Sequence, residues 1–179
     1  MTVNPAPFAE RYTASDHRRW QGDWELILGS PYAMTPSPTF THQRTTGNIY
    51  RLLAEALDEC LACHAVFETD VEFSEDTVVR PDCMVICYEP EGERLTRAPE
   101  LVFEVVSTSS ARRDELLKHE LYQREGVTHY VLVYPDKRKA KVYRLVDGGY
   151  RKVGDYSKEA LLFELSKCAI DFDFGFVWR

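Results

Sequence analysis

Two short apolar segments separated by one helix-length stretch constrain this chain most. Residues 101–106 and 129–134 consist almost entirely of Val, Leu, Phe and Tyr, and residues 111–125 between them mix polar with apolar side chains. Strands buried on both faces have this composition, and a helix between two of them is typical of a parallel strand pair. Gly126 stands where a helix C-terminus favours glycine. The sequence therefore predicts a β-α-β unit within an α/β fold.

The other segments predict a sheet around this unit and one long helix. The apolar spacing of residues 41–62 is helical, with Thr39 or Thr41 as the N-cap. Strands are expected at 24–28, 32–34, 82–88, 140–146 and 150–153, and a β-ribbon at 65–73 and 78–80. The tail at 169–178 alternates as an amphipathic strand does, which we favour over a D-x-D metal motif at Asp171 and Asp173. A length of 179 residues with 44% hydrophobic content indicates one domain, residues 1–179.

The charge balance argues against a broad nucleic-acid-binding surface. The formal net charge is −7, so phosphate contacts must come from a local patch or a metal ion. Arg112 and Arg113 lie beside the candidate site described below, whereas the basic cluster at 137–141 fits a solvated hairpin tip. No stretch approaches the roughly 18 unbroken apolar residues of a membrane helix, and the first residues lack a secretion signal. We therefore expect a soluble, cytoplasmic protein.

The five cysteines are expected to be reduced, because the number is odd and no secretion signal is present. Cys60-Leu-Ala-Cys63-His64 matches a haem-attachment string, which would require export. Cys83 and Cys87 can complete a four-thiolate zinc set with Cys60 and Cys63. However, Cys60 continues the apolar stripe of the expected helix, and cysteine is often a small buried hydrophobe. Core cysteines are therefore favoured, and a zinc protein is the alternative.

Glu104 is the one acid within the apolar segment 101–106. Strand alternation places it on the face shared by Val102 and Val106, in a run that is otherwise buried on both sides. A bare carboxylate in a core is costly, so it pairs, binds a metal or takes up a proton. The sequence leaves two alternatives for Glu104, a metal ligand or an ion pair with an arginine.

Asp82 and Lys118 can complete a site with Glu104. Asp82 follows Pro81 where a strand begins, and an aspartate there is by itself more typical of a turn cap. If the two strands are neighbours, both acids can reach one ion, and two carboxylates suit Mg²⁺. Lys118 and Asp114 project within the apolar stripe of the helix. They can form a surface pair at i,i+4, or Asp114 can orient an inward-pointing Lys118.

The motifs around these residues resemble the Uma2 family, also called DUF820. The resemblance is carried by R-P-D at 80–82, A-P-E-L-V-F-E-V-V-S at 98–107, R-R-D-x-x-x-K-x-x-x-Y at 112–122 and G-V-x-x-Y at 126–130. The segment at 22–43 is similar to the opening of that family, so the resemblance spans nearly the whole chain. His42 falls within this segment, and the sequence leaves open whether it lies near the site or is merely exposed.

The resemblance implies a restriction-endonuclease-like fold of the PD-(D/E)XK superfamily. This is an α/β fold with a mixed central β-sheet flanked by helices, here with an N-terminal β extension. It implies a magnesium or manganese site formed by Asp82, Glu104 and the Val105 carbonyl, with Asp82, Glu104 and Lys118 as catalytic residues. Asp114 and Ser107 are expected to support them.

The chain also departs from the family pattern. Val106 occupies the place of the lysine in the standard E-x-K motif, so Lys118 on the helix is expected to replace it. Thr108 stands where the family usually has proline, and Val131 where it often has tryptophan. Both departures bear on packing more than on chemistry. The function implied is a Mg²⁺-dependent endonuclease acting on DNA, for which a homodimer is plausible because duplex cleavage needs two sites. A non-catalytic scaffold that retains the nuclease fold is the alternative, and the acidic net charge favours it.

Overall fold

Within residues 10–34 and 37–179, which the computed structural model describes, the chain forms three longer helical segments, two 3₁₀ helices (Pro135–Lys137 and Phe174–Phe176) and twelve strands. The helices are α1 (Ala14–His17), α2 (Phe40–Ala56) and α3, a π-helical turn (Arg113–Lys118) that continues as α-helix (His119–Glu125). The first seven strands are β1 (Trp24–Ile27), β2 (Ser30–Ala33), β3 (His64–Phe67), β4 (Val71–Ser74), β5 (Thr77–Val79), β6 (Cys83–Ile86) and β7 (Leu101–Val105). The remaining strands are β8 (His129–Tyr134), β9 (Lys139–Val146), β10 (Gly149–Tyr156), β11 (Ala160–Glu164) and β12 (Ala169–Asp173).

A six-stranded mixed sheet forms the centre of the fold, in the order β10-β9-β8-β7-β6-β3. β7 and β8 are parallel, with Glu104 opposite Leu132, and every other pair in this sheet is antiparallel. The predicted β-α-β unit is confirmed, since α3 connects the parallel pair. Gly126 ends α3 in the left-handed conformation (φ 84°), which glycine adopts without a steric cost.

The N-terminal extension belongs to a second sheet in the order β2-β1-β5-β4. The predicted ribbon is correct for β4 and β5, which pair with each other. It is wrong for β3, which pairs with β6 in the central sheet. Alternation identifies a strand but not its partner. Glu68, at φ 44°, lies in the loop where the chain leaves one sheet for the other.

Each face of the central sheet is covered by different elements. On one face, Leu53 of α2 and Phe163 of the β11–β12 hairpin pack with Phe103. On the other face, Tyr122 of α3 and residues of the N-terminal sheet pack with Val102. The sheet is therefore flanked by helices, as predicted. No helix within the described ranges is long and apolar enough to cross a membrane.

Helix α2 ends six residues earlier than the expected boundary at 62. Thr39 is its N-cap, since its hydroxyl accepts a hydrogen bond from the His42 N–H (3.2 Å). After Ala56 the chain turns twice, with N–H groups of Cys60 and Cys63 donating to the carbonyls of Leu57 (2.8 Å) and Cys60 (3.1 Å). The C-x-x-C segment therefore lies on a turn and not within the helix.

The expectation that all five cysteines are reduced is wrong for this structure. Cys60 is disulfide-bonded to Cys168 and Cys63 to Cys87, whereas Cys83 is a buried free thiol. Cys168 lies between β11 and β12, and its place beside the C-x-x-C turn results from packing of that hairpin against the end of α2. No local sequence pattern reports such a contact between distant segments.

Candidate active site

Asp82 and Glu104 meet at the end of the β6–β7 pair. Cys83 lies opposite Phe103 and Met84 opposite Val102, so one further step along this antiparallel register brings Asp82 opposite Glu104. The Val105 N–H donates to Oδ2 of Asp82 (2.6 Å). The two strands are therefore neighbours, as a metal ion shared by Asp82 and Glu104 requires. Both acids line a cleft of about 310 Å³, called the acidic cleft below.

Glu104 lies at the base of the acidic cleft and is 3% exposed. Its Oε1 accepts hydrogen bonds from the Lys118 ammonium (2.9 Å) and the Tyr122 hydroxyl (2.7 Å). Burial raises the pKa of Glu104 well above its usual range, and Lys118 opposes this rise. The carboxylates of Asp82, Asp114 and Glu25 raise the pKa further. A positive charge placed near Glu104 therefore stabilises its ionised form.

Lys118 points inward from the π-helical turn of α3 and is 2% exposed. Its Nζ lies 2.7 Å from Oε1 of Glu25, 2.9 Å from Oε1 of Glu104 and 4.0 Å from Oδ1 of Asp114. Burial alone would lower the pKa of Lys118, but the three carboxylates outweigh it and raise the pKa. Lys118 is therefore a fixed ammonium ion. Of the two alternatives for Lys118, the inward-pointing side chain is correct and the surface pair with Asp114 is wrong.

Glu25 is a member of this cluster that the sequence reasoning missed. It lies in β1, is fully buried, and accepts a second hydrogen bond at Oε1 from the Arg80 N–H (3.0 Å). Its Oε2 lies 3.5 Å from Nε of Arg113, an ion pair without a hydrogen bond. Glu25 could have been found from the sequence, because it is an acid inside the apolar strand W-E-L-I, and the same pattern identified Glu104.

Asp114 and Ser107 lie at the edge of the same cluster. Burial raises the pKa of Asp114, while Lys118 and a hydrogen bond from Ser110 lower it. The Ser107 hydroxyl lies 3.1 Å from the hydroxyl of Ser110, so Ser107 reaches Asp114 through Ser110. The Asp114 carbonyl accepts a hydrogen bond from the Tyr130 hydroxyl (2.9 Å). Both residues therefore line the acidic cleft and are connected through Ser110.

His42, which the sequence left open, lies at the acidic cleft. Its Nε2 is 3.5 Å from Oδ2 of Asp82, and its Nδ1 is buried without a hydrogen-bond partner among the described residues. Burial lowers the pKa of His42, but the hydrogen bond and charge of Asp82 outweigh it, so the pKa is raised. The first turn of α2 thus adds an imidazole to the cleft, and the Asp82 carboxylate favours its protonated form.

Two other sequence features lie outside the acidic cleft. Asp171 is exposed on β12, and Asp173 caps the following turn by accepting a hydrogen bond from the Gly175 N–H (2.8 Å). The amphipathic strand predicted at 169–178 is confirmed for Ala169–Asp173 and is wrong beyond it, where Phe174–Phe176 form a 3₁₀ helix. The basic residues around 137–141 surround a turn, and Lys137 and Lys141 lie over the ring of Tyr134. Their interpretation as a hairpin tip agrees with this placement.

Comparisons with known proteins agree on the family and the fold. The sequence model of the Uma2 family, described as "Putative restriction endonuclease", matches residues 9–166. A solved structure described as "a putative nuclease belonging to DUF820" from Anabaena variabilis ATCC 29413 is similar over 93% of this chain and 97% of that chain. The TM-score is 0.74 at 16% sequence identity, so this likeness concerns the fold. No curated protein matches the chain. The predicted mixed α/β fold is confirmed.

Proposed function

This chain belongs to the Uma2 family, and on that premise we propose that it hydrolyses phosphodiester bonds in DNA with the help of a divalent metal ion. The observation that carries the proposal is the convergence of Asp82, Glu104 and Lys118. Two acids occupy facing ends of adjacent strands, and a buried ammonium lies 2.9 Å from the second acid. All three line one cleft that opens to solvent.

The residues present fit Mg²⁺ or Mn²⁺. The acids Glu25, Glu104 and Asp114 lie around the ammonium of Lys118, and Glu25 also pairs with Arg113. Asp82 lines the same cleft and pairs with His42. Asp23 and Glu68 add two acids to the lining of the cleft and Arg80 adds one base, so carboxyl groups outnumber the lysine and arginine side chains there, which favours a divalent cation. Carboxylate and carbonyl oxygens are the ligands such hard cations prefer.

Asp82, Glu104 and the Val105 carbonyl are the residues proposed to hold this ion. The hydrogen bonds that Glu104 accepts from Lys118 and Tyr122 both end on Oε1, so Oε2 is the oxygen available to a cation. When bound, such an ion polarises the scissile phosphate and lowers the pKa of a coordinated water. Asp82 is oriented for its role by the Val105 N–H, which fixes Oδ2.

The cationic residues of the acidic cleft have roles of their own. Lys118 holds its proton tightly, so it acts as a fixed positive charge that stabilises negative charge developing on the phosphate. Glu25 and Asp114 position that ammonium from two sides. His42, whose pKa is raised by the neighbouring Asp82 carboxylate, offers an imidazole N–H to a phosphate oxygen. Since the net charge of the chain is −7, contact with DNA is expected to be local to this cleft.

Cleavage assays with matched substrates test the proposal. Single-stranded DNA, double-stranded DNA and RNA of one sequence are incubated with Mg²⁺, Mn²⁺ or a chelator. Asp82→Asn, Glu104→Gln and Lys118→Met are each expected to lower the cleavage rate by about 10²-fold or more, as removal of a charge-stabilising group does. Glu89→Gln is the control, because Glu89 is exposed and pairs with His64 away from the cleft. Equal rates in all four variants would refute the assignment.

The alternative, a non-catalytic scaffold, predicts a different outcome of these assays. A scaffold would leave DNA and RNA intact under all metal conditions, and calorimetric titration with Mn²⁺ would show no binding at the acidic cleft. Size-exclusion chromatography in the same buffers tests the proposed homodimer, since two clefts are needed to cut both strands of a duplex at once. RNA cleavage with DNA left intact would overturn the DNA preference while leaving the metal-dependent chemistry in place.

A further inference from the structure

We propose that the reduced chain binds one Zn²⁺ ion through the four thiolates of Cys60, Cys63, Cys87 and Cys168. These residues converge from three separate segments. Cys60 and Cys63 lie on the turn after α2, Cys87 directly follows β6, and Cys168 lies in the connection between β11 and β12. We call this group the four-cysteine cluster.

The spacing of two sulfur atoms that are not bonded to each other matches a tetrahedral zinc site. Zn–S bonds of about 2.3 Å at tetrahedral angles place neighbouring sulfurs roughly 3.8 Å apart. The Sγ atoms of Cys63 and Cys168 are 3.9 Å apart although they belong to different disulfides. The Sγ atoms of Cys60, Cys63 and Cys168 all lie within 4.8 Å of one another, and Cys87 is bonded to Cys63. All four sulfurs therefore surround one small volume.

The backbone around the four-cysteine cluster suits metal binding. Cys63 N–H donates to the Cys60 carbonyl (3.1 Å), so the C-x-x-C segment is a tight turn that directs two thiols to one point, as in structural zinc sites. His64 pairs with Ile86 in the β3–β6 ladder, and the next facing pair outward is Cys63 and Cys87. Facing residues of an antiparallel pair project to the same side of the sheet.

Cys83 does not belong to the set, contrary to the four-thiolate set that the sequence allowed. Its Sγ donates to the Thr46 carbonyl (3.4 Å) within the core. Cys83 is fully buried and begins β6, whereas Cys87 follows the other end of the same strand. Cys168 takes the place that the sequence assigned to Cys83.

The four-cysteine cluster lies far from the acidic cleft. His42 marks the start of α2 at the cleft, and Cys60 follows the other end of this 17-residue helix, whose length is roughly 25 Å at 1.5 Å per residue. Four protein ligands close a zinc site to substrate, which is typical of structural and not catalytic zinc. The bound ion would tie α2, β6 and the β11–β12 hairpin together. This inference is independent of the proposed nuclease activity.

The disulfides of the structure join the same sulfurs in pairs, so zinc binding requires their reduction. A phosphine reductant converts each disulfide and one water molecule into two thiols, and is itself oxidised to the phosphine oxide. Zn²⁺ then binds the four sulfurs and releases their thiol protons to solvent. Reduction with a phosphine also avoids a dithiol that would compete for the metal.

Titration of the full-length, phosphine-reduced chain with Co²⁺ and then Zn²⁺ tests the proposal. One thiolate-bound Co²⁺ per chain is expected, seen as the sulfur-to-cobalt charge-transfer band and the visible bands of a tetrahedral thiolate site, and Zn²⁺ should displace it and abolish these bands. The charge-transfer band distinguishes this site from the acidic cleft, which has no cysteine among its lining residues. The wild-type spectrum reports sulfur ligation even if a variant fails to fold.

Variants identify the ligands. Cys60→Ser and Cys168→Ser are expected to lose at least tenfold in Zn²⁺ affinity and to weaken the charge-transfer band. Cys83→Ser, the matched control, should bind one Zn²⁺ as the wild type does. A folded, reduced wild-type chain that shows no thiolate band with Co²⁺ would overturn the proposal. Equal loss of zinc in Cys83→Ser and Cys168→Ser would overturn it as well.

Discussion

Nζ of Lys118 lies closer to Glu25 (2.7 Å) than to Glu104 (2.9 Å), although Glu25 belongs to the N-terminal sheet and Glu104 to the central one. The N-terminal β extension therefore helps to hold the ammonium that lines the acidic cleft. Glu25 holds the ammonium together with Glu104 of β7 and also pairs with Arg113. The two sheets are joined by buried charges as well as by apolar contacts.

We predict that Glu25→Gln destabilises the fold. The substitution preserves shape but leaves the ammonium of Lys118 and the guanidinium of Arg113 with one carboxylate fewer in a buried site. Breaking a buried ion pair from one side costs about 3–5 kcal/mol of unfolding free energy. Urea denaturation followed by circular dichroism measures this change.

The matched control for Glu25→Gln is Glu55→Gln. Glu55 pairs with Arg51 at i,i+4 on α2, where both side chains are about half exposed. Such pairs contribute less than about 0.5 kcal/mol. Equal destabilisation by the two substitutions would show that burial of the Glu25 pair has no energetic consequence.

We predict that Tyr122→Phe changes the titration of Glu104, whereas Tyr130→Phe does not. Both hydroxyls are buried, but that of Tyr122 donates to the Glu104 carboxylate (2.7 Å) and that of Tyr130 to the Asp114 carbonyl (2.9 Å). Each substitution should cost about 1–3 kcal/mol, because an acceptor loses its partner. Only Tyr122→Phe removes a donor from an ionised group, so only this variant should raise the pKa of Glu104.

The measurement for the tyrosine pair is the pH dependence of Mg²⁺-dependent cleavage. The acidic limb of the profile should move to higher pH in Tyr122→Phe and stay in place in Tyr130→Phe. A shift of the same size in both variants would mean that general loosening of the core, and not the hydrogen bond, controls Glu104.

Sequence reasoning located Glu104 and Lys118 because both violate a local pattern. Glu104 interrupts an apolar strand. Asp114, Lys118 and Tyr122 are buried and follow one another at intervals of four residues along α3, so their spacing identifies the inward face of this helix even across the π-helical turn. Patterns of period two and 3.6 are local, and a local signal suffices for such residues.

Residues whose role depends on a distant partner were harder to predict. Asp82 could be placed beside Glu104 only through the family resemblance, because the pairing of β6 with β7 is not encoded in either strand alone. Glu25 carried the same signal as Glu104 but lies in a four-residue strand of the other sheet. Cys168 gave no signal, since only the packing of its hairpin brings it to Cys60.

We predict that the metal-free protein loses stability as the pH rises above the ordinary carboxyl range. The pKa of Glu104 in the folded chain lies well above its ordinary value of 4.5, and that of Asp114 is also raised. Between the unfolded and folded pKa values, the folded state binds protons that the unfolded state has released. Unfolding free energy therefore falls with pH, by at most about 1.4 kcal/mol per pH unit for each proton.

Denaturation of the wild type and of Glu104→Gln from about pH 4.5 upward, the ordinary carboxyl range, measures this slope. The amide does not titrate, so the variant should show a shallower decline. Saturating Mg²⁺ should flatten the wild-type profile, because a cation beside Glu104 lowers its pKa. Parallel profiles for wild type and variant would contradict the assignment of the slope to Glu104.

We predict that Asp82→Asn weakens Mn²⁺ binding at least tenfold without unfolding the chain. The asparagine side-chain oxygen can still accept the Val105 N–H, which preserves the loop geometry, but the ligand loses its charge. Asp23→Asn is the control, since Asp23 also lines the cleft but pairs with Arg80 (2.7 Å) and is more than half exposed. Isothermal titration calorimetry with Mn²⁺ compares the three proteins. If Asp23→Asn weakens binding as much as Asp82→Asn does, the general negative charge of the cleft, and not ligation by Asp82, attracts the ion.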